Sequence, residues 1–528
     1  MAQIGKPPCD EAVIRLGGPA SACAARSKRW VLVAAIVGSS MAFVDGTVVN
    51  VALPAIQRDF NATAFEAQWV VESYALLLAA LLLVGGSLGD RFGRRRVFML
   101  GTVVFAVASV ACALATSVHA LIGARAVQGV GAALLVPGSL ALISAAFPEN
   151  ERGRAIGTWS GFSGITAALG PVLGGALIDH YSWTWAFLIN VPLAIVVLGI
   201  AAAHVPESRG AAGASGGALD ITGALLATVA LGGIVFAFIE APARGWTSAV
   251  VLGALAAGVA AGIAFVVAES RSRAPMLPLG LFRSANFAGA NLLTLLLYAA
   301  LGGALYFLPL NLIQVQGWSA SAAGAALLPF IAIMFALSRW SGQLVDRVGP
   351  KTPLVAGPLI AALGFALFAL PGIDARYASG FMPAVVVLGL GMAITVAPLT
   401  TTVMNAVAPD SAGVASGVNN AVSRAAAVLA IAVFGIVMAW AFDASLRAQL
   451  GALNAAPEVV AFLEEQRGKL VDAALPPGLD AARSSELQQA LEQAFVAGFR
   501  WIMLLSAGLA GFSAFVAWRW IEGRAPAR

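Results

Sequence analysis

Charge is scarce in this sequence. Only 11% of its 528 residues are Asp, Glu, Lys or Arg, whereas 60% are hydrophobic. The mean hydropathy is +0.88, and soluble domains carry about 25% charged residues. The composition therefore excludes an ordinary soluble protein and predicts that lipid surrounds most of the chain.

Residues that build disulfide and metal sites are also few. Three cysteines cannot form a disulfide framework, and three histidines scattered near the ends of apolar runs do not indicate a metal cluster. We therefore expect no metal and no cofactor. These residues are Cys9, Cys23, Cys112, His119, His180 and His204.

Signatures of nucleotide and nucleic-acid binding are missing too. VDRVGPKT has Pro350 where the lysine of a Walker phosphate loop should stand. No basic run is interleaved with aromatic residues, as a nucleic-acid-binding face would be. We expect no nucleic-acid partner and no ATP hydrolysis by this chain.

Long apolar runs dominate what is present. Runs of about 20 residues are long enough to cross a bilayer as helices, and the sequence contains fourteen of them. The predicted fold is an all-α polytopic membrane protein. The runs start near Trp30, Gln68, Val97, Leu121, Ala155, Trp185, Leu219, Ala249, Ala285, Gly324, Pro353, Met382, Val414 and Phe495.

Basic residues predict the orientation, because Lys and Arg in short loops stay cytoplasmic. RSKR, GDRFGRRR and ESRSRAP fall on one side, and the links between them, such as IDHYSW, are poorer in basic residues. Both termini are therefore predicted in the cytoplasm, with the protein in the bacterial cytoplasmic membrane. Residues 1–29 form a cytoplasmic tail and not a cleavable signal peptide, because the apolar run after them is too long.

The two halves of the chain contain an internal repeat. GSLGDRFGRRR, from Gly86, recurs as GQLVDRVGPKT, from Gly342, at an offset of 256 residues. The segments that begin at Gly129 and Gly389 also match, at an offset of 260. Two parallel six-helix bundles with a site between them are a transporter architecture. The predicted domains are the bundle 30–206, a linker with two inserted helices at 207–275, and the bundle 276–528 with an outside loop at 443–492.

Five motifs in order resemble the major facilitator superfamily and, within it, the fourteen-helix drug:proton antiporter family. They are VDGTVVNVALP, GSLGDRFGRRRVF, ARAVQGVGAALLVPG, GITAALGPVLGGAL and SWTWAFLINVP. The resemblance covers nearly the whole chain after the N-terminal tail. One departure is Thr166, where the fifth-helix motif usually has glycine; it leaves the packing of that helix open.

The resemblance also implies roles for the residues of two motifs, the loop GSLGDRFGRRRVF and the fifth-helix segment GITAALGPVLGGAL. Acid and basic residues at the cytoplasmic ends are expected to form a gate latch, although the arginines alone could serve only as topology anchors. Small residues on the fifth helix are expected to pack closely at the seam between bundles. The gating set is Asp90, Arg91, Gly93, Arg94, Asp346 and Arg347, and the packing set is Gly164, Gly170, Pro171, Gly174 and Gly175.

Ionisable residues inside predicted spans mark candidate proton paths. Asp45, Arg125 and Glu72 form the predicted proton-coupling set. Burial favours the neutral form of an acid and a nearby arginine favours the ionised form, so a moving Arg125 could load and unload Asp45. The alternative is a permanent structural ion pair. For Glu72, near the outer end of its run, a solvated position is favoured over a buried one.

Polar and aromatic residues in the spans are candidates for a substrate cavity, since apolar pockets with few polar groups suit amphipathic ligands. Interfacial tyrosines are the alternative explanation. The outside loop 443–492 is predicted as a surface loop, with a lid over the outer mouth as the alternative. The cavity candidates are Asn50, Gln128, Tyr298, Tyr306, Asn311, Gln314, Asn420 and Arg424.

These features predict a proton-coupled exporter of drugs or other amphipathic organic molecules. Its expected partners are the small-molecule substrate, protons and the lipid bilayer, and we expect a monomer without enzymatic activity. A dedicated exporter of one endogenous metabolite is the first alternative, because the same motifs would permit it. A membrane receptor or enzyme is the second.

Overall fold

The computed structural model describes residues 22–147, 149–209, 220–272, 275, 277–342, 344–407 and 412–523. Within these ranges the chain is built of helices and their connections, with no strand. We number the long helices α1 Ala22–Phe60, α2 Ala64–Phe92, α3 Arg94–Ala113, α4 Val118–Ala146, α5 Glu149–His180, α6 Trp185–His204, α7 Ile221–Arg244, α8 Ala249–Arg271, α9 Ala285–Leu310, α10 Leu328–Gly342, α11 Lys351–Phe368, α12 Met382–Asn405, α13 Ala412–Ala452 and α14 Ala481–Trp520.

Among the described residues, thirteen helices are long and apolar enough to cross a membrane. The long helix outside this group is α5, which begins with the charged stretch ENERGR. The polytopic helical fold is thus confirmed, while the count of fourteen spans stays a prediction. The predicted start at Leu219 lies outside the described residues.

The observed helix starts agree best with the predicted ones where an apolar run begins abruptly in the sequence. Trp185, Ala249, Ala285 and Met382 begin helices at the predicted residue. The largest difference is α14, which begins at Ala481 and not near Phe495. Its first turns are too polar for a hydropathy scan, yet they form a helix because Asp480 caps them and one face is buried.

Packing divides the chain into two compact units. The first contains residues up to Val49 together with residues 70–228 and 264–277, and the second contains residues 50–69, 229–263 and 278 onward. Below, the N-terminal bundle means α1 to α6 and the C-terminal bundle means α9 to α14. The predicted domain boundaries stay predictions.

The internal repeat is visible in how glycines pack. A Cβ added to Gly101 of α3 would lie 2.9 Å from the carbonyl oxygen of Gly131 in α4. At the corresponding positions of the second repeat, a Cβ on Gly357 of α11 would lie 2.9 Å from the carbonyl oxygen of Gly391 in α12. Only glycine permits two helix backbones to approach so closely.

A second pair of contacts repeats in the same way. Gly129 of α4 packs on the backbone of Tyr74 in α2, where an added Cβ would lie 2.5 Å from the carbonyl oxygen. Gly389 of α12 packs on the backbone of Phe330 in α10, where an added Cβ would lie 3.1 Å from the Cα of Phe330. The offsets of 256 and 260 seen in the sequence therefore relate two helix packings as well as two motifs.

The predicted outside loop is shorter and more ordered than expected. Because α13 continues to Ala452 and α14 begins at Ala481, most of residues 443–492 is helical. The stretch between these helices holds a short helix, Pro457–Glu465, and a 3₁₀ turn, Arg467–Asp472. Leu463 is fully buried, so part of this segment packs inward, while its placement outside and the choice between a surface loop and a lid stay predictions.

Candidate functional site

Five polar side chains of the N-terminal bundle meet away from solvent and form what we call the charge cluster. They are Asp45 of α1, Ser109 of α3, Arg125 and Gln128 of α4, and Asn190 of α6. Each of them has a relative exposure of 0%. Four helices therefore contribute polar groups to one buried point within the apolar bundle.

Asp45 is the centre of the charge cluster. Its Oδ2 lies 2.5 Å from Nη1 of Arg125, which also donates to Oε1 of Gln128 at 2.6 Å. Its Oδ1 accepts hydrogen bonds from Gln128 Nε2 at 2.8 Å and from Asn190 Nδ2 at 3.0 Å. Three donors directed at one carboxylate stabilise its ionised form.

Arg125 also contacts a backbone carbonyl and two aromatic rings. Its Nε donates to the carbonyl oxygen of Val70 at 3.0 Å. Its guanidinium carbon lies 4.3 Å from the ring centroid of Tyr74 and 5.6 Å from that of Phe187. Aromatic faces stabilise a cation that water cannot reach.

The close approach of Asp45 and Arg125 agrees with the sequence prediction, whereas their role in coupling stays a prediction. A buried ion pair gives little net stability, but removal of one partner costs about 3–5 kcal/mol because it leaves an uncompensated charge. Gln128, predicted in the substrate cavity, belongs instead to this cluster and has no exposed surface.

Glu72 corrects the expectation of a solvated position. It is fully buried, and neither carboxylate oxygen has a hydrogen-bond partner among the described residues. The reason is the helix start: α2 begins at Ala64, which places Glu72 about 12 Å along the helix axis. A buried carboxyl without a hydrogen-bond donor favours its neutral form.

The loop between α2 and α3 pairs Asp90 with an arginine four residues later. Arg94 Nη2 lies 2.7 Å from Oδ1 of Asp90, and Arg94 Nη1 donates to the carbonyl oxygen of Ala141 in α4. Gly93 has a φ of 113°, a conformation that a residue with a side chain rarely adopts. Arg91 lies over the ring of Phe92.

Glu207, which the sequence did not single out, holds the same loop from the end of α6. It accepts a hydrogen bond from the backbone N–H of Arg95 at 3.0 Å and lies 3.7 Å from Nε of Arg96. A carboxylate at the first turn of α3 is also favoured by the helix dipole. In the second repeat, Arg347 is exposed, and the side chain of Asp346 lies outside the described part.

The fifth-helix motif packs inside the N-terminal bundle. A Cβ on Gly170 would collide with Thr47, and one on Gly174 would collide with Val48, both of α1. Pro171 and Gly175 are buried beside them. These contacts fit small-residue packing, while the predicted role at the seam between bundles stays a prediction. Gly164 lies in α5, and its surroundings are outside the described part.

The predicted cavity residues differ in their burial and in their hydrogen-bond partners. Gln314 is committed to other side chains: its Nε2 donates to Gln57 at 3.1 Å and to Asp472 at 2.7 Å. Asn311 is buried with its Oδ1 lacking a described partner. The remaining candidates are buried, partly buried or exposed, and a substrate role for them stays a prediction: Asn50, Tyr298, Tyr306, Asn420 and Arg424.

Two members of the charge cluster were missed in the sequence. Ser109 looks like any small residue of α3, and nothing in its spacing distinguishes it. Asn190 offered a signal, since it is the one amide in the apolar stretch WAFLINVPLAIVV. A polar side chain that cannot reach water usually meets another polar group.

The fold and the site together define a class. Repeated helical bundles with a charged cluster buried in one of them are features of secondary transporters. The sequence profile of the Major Facilitator Superfamily matches residues 35–431. The chain therefore belongs to the Major Facilitator Superfamily, as the motifs predicted.

Curated relatives and solved structures agree with this assignment. The chain is 35% identical over 507 residues to the multidrug resistance protein Stp of Mycobacterium tuberculosis, covering 94% of this chain and 92% of that protein. It is also 35% identical over 507 residues to the tetracenomycin C resistance and export protein of Streptomyces glaucescens, covering 93% and 91%.

The crystal structure of a bacterial homolog of the human lysosomal transporter Spinster has the same fold. The TM-score is 0.62 at 18% identity, over 95% of this chain and 99% of that chain. With its membrane-capable helices and its bacterial relatives, the chain is a multi-pass bacterial membrane protein.

Proposed function

We propose that this protein exports drugs or other amphipathic organic molecules from the cytoplasm in exchange for protons. The observation that carries the proposal is Asp45, a carboxylate buried at membrane depth whose charge is balanced by a single arginine. The names of the relatives, which specify multidrug and tetracenomycin C resistance, support the substrate class.

Coupling follows from the geometry of the charge cluster. With Arg125 at hydrogen-bonding distance, Asp45 is stable as an anion. If a change of conformation withdraws the arginine, the buried carboxylate loses its counter-charge and takes up a proton, because an isolated buried charge is too costly. Return of Arg125 expels the proton.

The amides of the charge cluster can form hydrogen bonds with Asp45 in both of its protonation states. Gln128 and Asn190 each donate to Asp45 in the ionised state. Either amide can rotate to present its oxygen, which would accept a hydrogen bond from a protonated carboxyl. Asn190 Oδ1 already lies buried without a described hydrogen-bond partner. The cluster therefore has an acceptor for the proton that Asp45 would carry.

The remaining assignments complete the proposal. Both termini and the loop that contains Asp90 face the cytoplasm, and Asp90 with Arg94 acts as a latch on that side. Glu72 is the second candidate for carrying a proton, because it is buried with no hydrogen-bond partner among the described residues. The organic substrate binds among polar and aromatic residues of the C-terminal bundle, the proton gradient drives export, and the protein works as a monomer.

Asp45→Asn tests the proposal, since it removes the titratable proton and keeps the size of the side chain. In everted vesicles, uphill uptake of a fluorescent cationic dye should fall to the level of protein-free vesicles, and a protonophore should lower uptake by the unaltered protein to the same level. Glu72→Gln is the matched control, because it removes another fully buried acid of the N-terminal bundle.

The outcomes are distinct. Coupled transport by a stably inserted Asp45→Asn variant would show that Asp45 is not the coupling acid, and loss in Glu72→Gln alone would transfer the role to Glu72. Insensitivity of the unaltered protein to the protonophore would refute proton exchange. A panel of unrelated dyes separates a multidrug exporter from an exporter of one metabolite.

A further inference from the structure

Between α13 and α14, residues 466–474 form a compact turn that we call the outer plug. The side chain of Gln466 closes the turn on itself: its Oε1 accepts from the backbone N–H of Ala474 at 3.0 Å, and its Nε2 donates to the carbonyl oxygen of Ala474 at 3.4 Å. The plug is therefore a preformed unit and not an extended link.

Leu470 stands at the tip of the outer plug in a conformation that leucine rarely adopts. Its φ is 53° and its ψ is −123°, yet its side chain is only 8% exposed. Such a backbone costs free energy and persists only where the surroundings over-determine it. Burial of the leucine side chain is what holds it there.

Leu470 lines an apolar cavity of the second unit. Aromatic and aliphatic residues form most of its wall, and three glutamines add polar groups at Gln57, Gln68 and Gln314. The space left beside the leucine is about 20 Å³, room for roughly one water. Among the apolar wall residues are Phe65, Ala67, Tyr306, Phe307, Leu310 and Met438.

Two polar contacts and one close packing contact join the plug to three neighbouring segments. Lys469 Nζ donates to Oδ1 of Asn61, at the end of α1, at 2.8 Å. Asp472 accepts from Gln314 beyond α9 at 2.7 Å. A Cβ on Gly468 would lie 3.8 Å from Cβ of Thr63, which precedes α2. The plug thus bridges elements that are distant in sequence.

We infer that the outer plug closes the exit of the transport path, and that Leu470 occupies a site which takes apolar groups of the substrate before their release. An apolar, aromatic wall with a few amide groups fits amphipathic organic molecules. The direction of release rests on the proposed function and its orientation. In this assignment Gln314 holds the plug and does not contact substrate while the plug is closed.

A disulfide between Thr63→Cys and Gly468→Cys tests the closure. The 3.8 Å between the two Cβ positions matches disulfide geometry. The background lacks Cys9, Cys23 and Cys112. Oxidation should reduce dye efflux about tenfold or more, and a reductant should restore it. Each single-cysteine variant, treated identically, is the control.

Full crosslinking with unchanged efflux would overturn the inference. Absence of efflux from the reduced double variant and from the cysteine-free parent alike would instead contradict the proposed function. The two failures are therefore distinguishable.

A second measurement does not depend on any substrate. On the cysteine-free background, Ala67→Cys places a thiol in the cavity wall, and Leu470→Ala removes the side chain that fills the cavity. Labelling of this thiol by a membrane-impermeant reagent should become about tenfold faster with Leu470→Ala. Arg447→Cys, at an exposed position, should label equally in both backgrounds. An unchanged rate at position 67 would show that Leu470 is not a plug.

Discussion

The two bundles pack alike but carry different chemistry. The glycine contacts between α3 and α4 recur between α11 and α12. The charge cluster does not recur: at the offset of 260 residues, Arg125 corresponds to Val385 and Gln128 to Leu388. Val385 is 1% exposed and Leu388 is 2% exposed, so the same place in the second repeat is an apolar core.

The difference shows that the packing needs no charge. An apolar core fills the position in the C-terminal bundle, and replacing a buried ion pair by hydrophobic residues of similar volume is often neutral or stabilising. The ions of the N-terminal bundle are therefore retained for something other than stability. Proton exchange is the role that the proposed function gives them.

The largest effect is expected when one charge of the Asp45–Arg125 pair is removed and the other is left buried. Arg125→Leu leaves Asp45 buried without a counter-charge, which should cost about 3–5 kcal/mol of stability and abolish coupled transport. Thermal unfolding in detergent and dye uptake into everted vesicles measure the two effects.

A triple variant sharpens the test. Asp45→Leu with Arg125→Val and Gln128→Leu gives the N-terminal bundle the apolar pattern of the C-terminal one. Stability should return to within about 1.5 kcal/mol of the unaltered protein, while proton-coupled transport stays lost. If this variant still exchanged protons for dye, the cluster would be structural only.

The loops between α2 and α3 and between α10 and α11 provide the next comparison. Asp90 pairs with Arg94, whereas Pro350 stands where the second repeat would need that arginine for Asp346. Asp90→Asn should therefore reduce turnover about tenfold with little change in substrate affinity, because a latch shifts a conformational equilibrium. Asp346→Asn, the matched control, should have a smaller effect. Equal effects on turnover, or lost binding with normal folding, would contradict the latch.

Glycine contacts should behave equally in the two bundles. Gly131→Ala places a methyl group against the backbone nitrogen of Phe105, and Gly391→Ala places one against the backbone nitrogen of Ala361. Each should cost about 1–3 kcal/mol. Gly123→Ala, where nothing lies within 4 Å, is the control. A strong effect in only one bundle would show that the repeated packing is not equally important in both.

The smallest expected effect is a pH dependence of the outer plug. Burial raises the pKa of Asp472 above its usual range, although Arg58 and the hydrogen bond from Gln314 act in the opposite direction. When the plug undocks, the carboxyl regains its ordinary pKa. Docking therefore binds protons: it strengthens as the outer pH falls through the raised pKa and is weakest above it.

Labelling of Ala67→Cys measures this dependence. The rate, divided by that of Arg447→Cys, should fall a few-fold on acidification of the outside, as the sign of the shift requires. Other charged groups near the plug are Lys469, which binds Asn61, Arg58 at the end of α1, and Arg467 of the plug, which lies 3.9 Å from Asp443 of α13. Asp472→Asn should remove the pH dependence; a faster rate at acid pH would contradict the sign.

The buried ion pair was the part of the site easiest to predict, because a charged residue in a membrane-spanning run has few possible explanations. Asp45 and Arg125 were identified because charge is expensive in a membrane, and the structure brings them together. Depth along a helix was harder to predict. Glu72 was expected in solvent because the polar first turn of α2 does not appear in a hydropathy scan, and the early start of the helix buries it.

The sequence by itself determined the membrane class, the repeat, the family and the central acid and arginine. These follow from composition, hydrophobic length and spaced motifs, which are local properties of the chain. Only the tertiary structure decided that Ser109 and Asn190 join the charge cluster, that Glu207 holds the loop between α2 and α3, and that Leu470 lines an apolar cavity. Each of these contacts joins residues far apart in the sequence, and no local pattern encodes which distant polar or apolar group a side chain will meet.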